Sequence, residues 1–189
     1  PNNKKKFTWE ETKINIFKLS KTIKENVKEG DRCLLVSENR PEWFISDLAI
    51  MLSGAITVPA YTTYTQDDYK YLIEDCEPTV VIVSNNEMLK KLNIVINEKN
   101  FIKKVITFDE VEKACDNLNI DNKEKYLDFN SIIKNDLSEK DKIQNLNLKR
   151  SSAACIIYTS GTGGNPKGVI LSHGGILSNL AGACEIMKP

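Results

Sequence analysis

The clearest chemical signal in the sequence lies in Tyr158-Thr159-Ser160-Gly161-Thr162-Gly163-Gly164-Asn165-Pro166-Lys167-Gly168. Glycines 161, 163, 164 and 168 fall within eight positions. Without a Cβ, the backbone N–H groups can approach a ligand closely, and successive N–H groups pointing one way form an anion-binding nest. Thr159, Ser160 and Thr162 add hydroxyl donors, and Lys167 adds a mobile positive charge suited to a polyphosphate. A hydrogen bond to a charged group is worth roughly 1.5–3 kcal/mol, and a triphosphate can meet several at once. A plain glycine-rich hairpin turn is the simpler alternative. Four glycines, three hydroxyls and a lysine together favour phosphate binding, with Thr159, Ser160, Gly161, Thr162, Gly163, Gly164 and Lys167 as the contacts. The pattern is not the P-loop of NTPases, because Pro166 precedes Lys167 and Gly168 follows it. It is not a G-x-G-x-x-G dinucleotide fingerprint either, since Pro166 holds the third glycine position.

Such a loop needs a scaffold. Ala153 to Tyr158 and Lys167 to Leu171 read as strands flanking it, and Ser172 caps a helix from about Gly175 to Met187. Upstream, Ile14, Phe17, Leu19, Ile23 and Val27 approximate a helical period that Gly30 closes. Arg32 to Ser37 reads as a buried strand. A helix then starts with Pro41 at its first position and Glu42 in its first turn, and ends at Ser53-Gly54. Ile56 to Pro59 is a short strand whose proline implies a sheet edge or a strand end. Thr65 caps a helix from Gln66 to Cys76, followed by a strand at Val80 to Val83. A short helix near Glu87 to Leu92 and a strand at Val105 to Phe108 come next. The stretch from Asp116 to Arg150 is polar and weakly periodic, and reads as a linker or excursion. Strands alternate with helices, and several strands are continuous apolar runs. That combination implies an α/β fold, a mostly parallel sheet with helices on both faces. In such sheets ligands sit outside the carboxyl ends of the strands.

Composition narrows the function classes. The chain has 189 residues, 26 basic and 26 acidic, so its net charge is zero. That balance argues against a nucleic-acid binder and against a polybasic membrane anchor. Arginine occurs only at positions 32, 40 and 150, and the abundance of Lys and Asn fits an AT-rich genome, so scattered lysines carry little information. Cys33, Cys76, Cys115, Cys155 and Cys184 are odd in number and dispersed, and read as reduced, mostly buried thiols of a cytoplasmic protein. The apolar region Phe44 to Ala60 is broken by Asp47 and too short to span a bilayer. No metal site is expected. The chain opens with Pro1 and stops at Pro189, and both ends read as cuts.

Other residues fit structural roles first. His173, the lone histidine, suits a helix start. Trp43 and Phe44 suit core packing of an amphipathic helix. Tyr61 and Tyr64 follow a strand end, where a rim role is open to them. Asp67 and Asp68 suit the helix dipole better than a metal, and Cys155 suits a buried apolar position better than a nucleophile.

Tyr158 to Gly168, continued by Val169-Ile170-Leu171-Ser172-His173, resembles the phosphate-loop signature of the adenylate-forming (AMP-binding) superfamily. That group holds acyl-CoA synthetases, luciferases and peptide-synthetase adenylation domains. Gly30 to Trp43, Gly54 to Tyr61 and Tyr71 to Cys76 resemble its first strands and helices. Asn39-Arg40-Pro41-Glu42-Trp43 and Val58-Pro59-Ala60-Tyr61-Thr62-Thr63 look most like the long-chain fatty acyl-CoA synthetase branch. One departure stands out: Gly163 replaces the family's usual threonine, so one hydroxyl is lost.

The resemblance implies part of the large N-terminal domain of such an enzyme. Residues 1–115 form an alternating helix/strand region, 116–150 the polar excursion, and 151–189 the strand, phosphate loop, strand and helix. It implies an acid–thiol ligase in which a carboxylate, from a long-chain fatty acid, attacks Mg2+-bound ATP to give an acyl-adenylate, and coenzyme A then displaces AMP. An aryl-CoA ligase, a peptide-synthetase adenylation domain and a non-catalytic nucleotide-binding remnant are the alternatives. No catalytic residue is expected within this N-terminal fragment, which alone should lack ligase activity. The expected partners are the small molecules fatty acid, ATP and CoA, with no nucleic acid. A fatty-acid substrate also leaves room for peripheral membrane association.

Overall fold

The computed structural model describes residues 6–110, 118, 120, 122–142, 148–160 and 165–187. Helix α1, Trp9–Lys24, starts at a capping box in which Thr8 and Glu11 bond each other's backbone N–H. It stops at Lys24, earlier than the apolar period implied. Gly30 is not its cap: it sits at φ 85° in the turn before β1, its N–H on the Gly54 carbonyl at 2.9 Å. That left-handed turn favours glycine.

Strand–helix alternation then runs as expected. β1 (Arg32–Val36), α2 (Pro41–Leu52), β2 (Ile56–Ala60), α3 (Gln66–Cys76), β3 (Val80–Val83), α4 (Asn86–Glu98) and β4 (Lys104–Thr107) follow one another. Helix α4 is longer than Glu87 to Leu92 because Val95 and Ile96 carry its buried face one turn further. β6 (Ala153–Thr159), β7 (Lys167–Ser172) and α7 (His173–Ile186) end the described chain.

The stretch 116–150 is more than a polar excursion. A 3-10 turn at Lys123–Lys125 leads into β5 (Tyr126–Asp128), which pairs in parallel with β4. Helix α5 (Phe129–Ile132) follows, capped by Asp128, and then the short α6 (Glu139–Lys142). Phe129 is fully buried and meets Phe108 edge-to-face at 5.2 Å.

The sheet order is β5-β4-β3-β1-β2-β6-β7. All neighbours are parallel except β7, which returns antiparallel to β6. Pro59 therefore lies inside the sheet rather than at an edge. It is next to last in β2, beyond the point where Thr57 meets Cys155 of β6. Alternate residues divide between two cores. Leu34, Val36, Val81, Val83 and Val105 pack under α3 and α4, whereas Cys33, Leu35, Val80, Ile82 and Ile106 pack under α1, α2 and α5. Among the described residues no helix is long and apolar enough to cross a membrane.

If β5 and α5 belong to this core, Phe129→Ala should cost about 3–5 kcal/mol of unfolding free energy. Denaturant unfolding of the wild type and the variant measures it. A loss below the scatter of the titration would remove this segment from the core.

Candidate functional site

Because β1, β2, β3 and β6 run in parallel, their carboxyl ends share one edge of the sheet. Two cavities open there. The larger, about 370 Å³, lies over the ends of β1, β2 and β6 and is lined by Glu38, Trp43, Ala60, Tyr61, Tyr64 and Tyr158 among others. The smaller, about 220 Å³, lies between α3 and the β6–β7 hairpin, lined by Asp67, Asp68, Tyr71, Tyr158, Asn165 and Pro166 among others.

The glycine-rich segment joins β6 to β7 at this same edge. Thr159 pairs with Lys167 across the base of the hairpin, and Thr159, Ser160 and Lys167 are all exposed. Gly161, Thr162, Gly163 and Gly164 lie outside the described residues. Below the base, Tyr158 opposes Gly168. A Cβ built on Gly168 would stand 2.7 Å from Ile156 Cγ2 and 3.3 Å from the Tyr158 ring, so the close approach requires glycine.

Two hydroxyl contacts tie the hairpin to α3. Tyr158 Oη donates to the Asp75 carboxylate, and Tyr71 Oη donates to the Pro166 carbonyl at 2.9 Å. Burial, then the Asp75 carboxylate, push the Tyr158 phenol far above its usual range, so it stays a donor. Sequence reasoning missed Tyr71 and Asp75. Their four-residue spacing on one helix face was the available signal.

At the end of β1, Glu38 accepts from Asn85 Nδ2 at 3.3 Å, which bridges the ends of β1 and β3. Burial alone would raise this carboxyl. Hydrogen bonding by its own backbone and Asn85, the nearby Ser84 hydroxyl and the Arg40 charge outweigh it and hold the group below its usual range. Arg40 bonds the buried Glu42 at 2.9 Å and lies over the Phe108 ring at 5.2 Å.

The remaining residues sort as follows. Tyr61 and Tyr64 form an edge-to-face pair at 5.5 Å and both line the larger cavity, at its rim. Trp43 packs on the core and also faces that cavity. Phe44 instead points outward against Trp9, because the helix face it occupies is turned away from the sheet. Asp68 bonds Thr65 in a capping box, and the Thr65 hydroxyl and N–H hold its carboxyl down. His173 is the first residue of α7, its N–H on the Ser152 carbonyl at 3.1 Å. Cys155 is buried, and burial and then Asp47 push its thiol up, away from nucleophilic character.

Residues 2–189 match the family of AMP-binding enzymes. The chain belongs to the AMP-binding enzyme family. A long-chain-fatty-acid–CoA ligase of Xenopus laevis is 32% identical over 152 residues, covering 79% of this chain and 20% of that protein. Long chain acyl-CoA synthetase 4 of Arabidopsis thaliana is 30% identical over 188 residues, covering 96% of this chain and 27% of its own length. The chain thus spans about a quarter or less of these curated relatives. Among solved structures, an anthranilate CoA ligase in complex with anthranoyl-AMP superposes with a TM-score of 0.76 at 23% identity, over 90% of this chain and 30% of that one. ATP-bound MatB from Rhodopseudomonas palustris gives 0.75 at 20% identity, over 96% of this chain and 32% of that one. These two likenesses establish the shared α/β fold.

Gly168→Ala tests the close packing at the hairpin base. The added methyl must displace Ile156 or the Tyr158 ring, and should cost about 1–3 kcal/mol in denaturant unfolding. Unchanged stability would mean that the strands do not approach this closely.

Proposed function

We propose that this chain is part of the large N-terminal domain of an ATP-dependent acyl-CoA synthetase acting on long-chain fatty acids. The observation that carries the proposal is the hairpin between Thr159 and Lys167 at the carboxyl edge of a parallel sheet. Its sequence carries three glycines, three hydroxyls and one lysine, and Tyr158, Asn165 and Pro166 line cavities there. In this reading Thr159, Ser160, Gly161, Thr162, Gly163, Gly164 and Lys167 receive the β- and γ-phosphates of ATP. The likeness to long-chain acyl-CoA synthetases of Xenopus laevis and Arabidopsis thaliana supports the choice of acid.

The reaction proposed has two displacements. A carboxylate oxygen attacks the α-phosphorus of ATP, the bond to the bridging oxygen breaks, and pyrophosphate leaves. The thiolate of coenzyme A then attacks the acyl carbon and AMP leaves. The loop's part is to position the polyphosphate and to stabilise charge gathering on the departing pyrophosphate. Lys167, exposed at the hairpin base, brings the positive charge, and backbone N–H groups bring the donors. Magnesium would enter with the nucleotide and neutralise part of its charge. The exposed Thr159 and Ser160 hydroxyls are oxygen ligands of the kind it takes. In this reading the enzyme works in the cytoplasm, which its dispersed cysteines fit, and a fatty-acid substrate leaves room for peripheral membrane contact.

Acid-dependent exchange of pyrophosphate into ATP tests this in the intact protein. Exchange should require a long-chain fatty acid. It should fall about ten- to a hundred-fold in Lys167→Ala, the loss expected for a charged hydrogen bond. Exchange driven only by aromatic or amino acids would move the protein to an aryl-CoA ligase or an adenylation domain. No exchange with any acid, from folded protein, would overturn the proposal.

A further inference from the structure

We propose that Tyr71 and the Tyr158–Asp75 pair form a two-point clamp that holds both shoulders of the hairpin loop on α3 and so positions it for phosphate binding. The proposal rests on the reading of that loop given above. Tyr71 and Asp75 stand four residues apart, on one face of α3. Tyr71 Oη donates to the carbonyl of Pro166, on the β7 shoulder, at 2.9 Å. The Asp75 carboxylate accepts from Tyr158 Oη, two residues before Ser160 on the β6 shoulder. The two ties therefore grip opposite sides of one hairpin from a single helix.

That helix is a firm support. Tyr69, Leu72, Ile73 and Cys76 are buried in the core beneath it, and Tyr69 Oη donates to the Tyr61 carbonyl at 2.7 Å. Packing does not fill the space between the helix and the hairpin, where a cavity of about 220 Å³ remains, with Tyr71, Tyr158 and Pro166 in its wall. The Tyr158 ring packs with α3 in the core, and the two polar contacts cross the remaining gap to hold the hairpin's shoulders. Tyr71 is half-buried and Asp75 exposed, so neither side chain carries the core.

Hydrogen–deuterium exchange on the nucleotide-free intact protein tests the clamp. At the amides of Thr159, Ser160, Asn165 and Lys167, Tyr71→Phe should speed exchange about five-fold, the effect of losing one ordinary hydrogen bond, and Asp75→Ala about ten-fold or more, because its bond is to a charged carboxylate. Amides of β1 and of the buried face of α3 should keep their rates. Asp75→Asn retains an acceptor for Tyr158 and should stay near wild type. In pyrophosphate exchange the Phe and Ala variants should lower kcat/KM for ATP by a similar factor with KM for the acid unchanged. Unaltered exchange at the shoulders in both variants would overturn the clamp, as would acceleration spread equally over α3. If the wild type exchanges no pyrophosphate with any acid, the functional reading fails, and the hydrogen-exchange rates alone still decide for or against the clamp.

Discussion

The arrangement depends on burying short apolar strands on both faces. Val80-Val81-Ile82-Val83 has no polar face to offer water, and Cys33 to Val36 beside it is equally apolar. Such strands are stable only with a helical layer above and another below. The chain meets that demand by alternating strand and helix, so successive strands run parallel and their carboxyl ends share one edge. The position of the two cavities and of the β6–β7 hairpin follows from this requirement.

The hairpin is where the pattern breaks. β7 follows β6 without an intervening helix and so must run antiparallel, and the connection must turn back at the carboxyl edge. Gly168 lets the two strands approach under the Tyr158 ring. Tyr158 then spends its hydroxyl on Asp75 rather than on the sheet, and Tyr71 reaches Pro166 beside it. Residues that build the sheet thus also aim the glycine-rich turn. The exposed Thr159, Ser160 and Lys167 at its base carry the polar groups that chemistry would use.

Much of this was legible in the sequence because the signals were long or chemically specific. Thr65 with Asp68, Pro41 and Ser172 mark helix starts through backbone hydrogen bonding, and each stands at the start observed. β5 was not legible. Three residues, Tyr-Leu-Asp, carry no periodicity of their own in a Lys- and Asn-rich stretch, and only pairing with β4 makes them a strand. Gly30 misled in the opposite way, since a glycine after an apolar period suggests a helix cap, whereas this one serves the turn into β1. For Tyr71 and Asp75 the local spacing shows only a shared helix face, and their roles depend on partners 95 and 83 residues away.

The central claim is that the Thr159–Lys167 turn receives the phosphates of ATP. A crystal structure of the intact protein with a non-hydrolysable ATP analogue tests it most directly. The account predicts β- and γ-phosphate oxygens within hydrogen-bonding distance of backbone N–H groups between Ser160 and Gly164, with the Lys167 ammonium beside them. A nucleotide bound elsewhere, with this turn free of phosphate contacts, would contradict it.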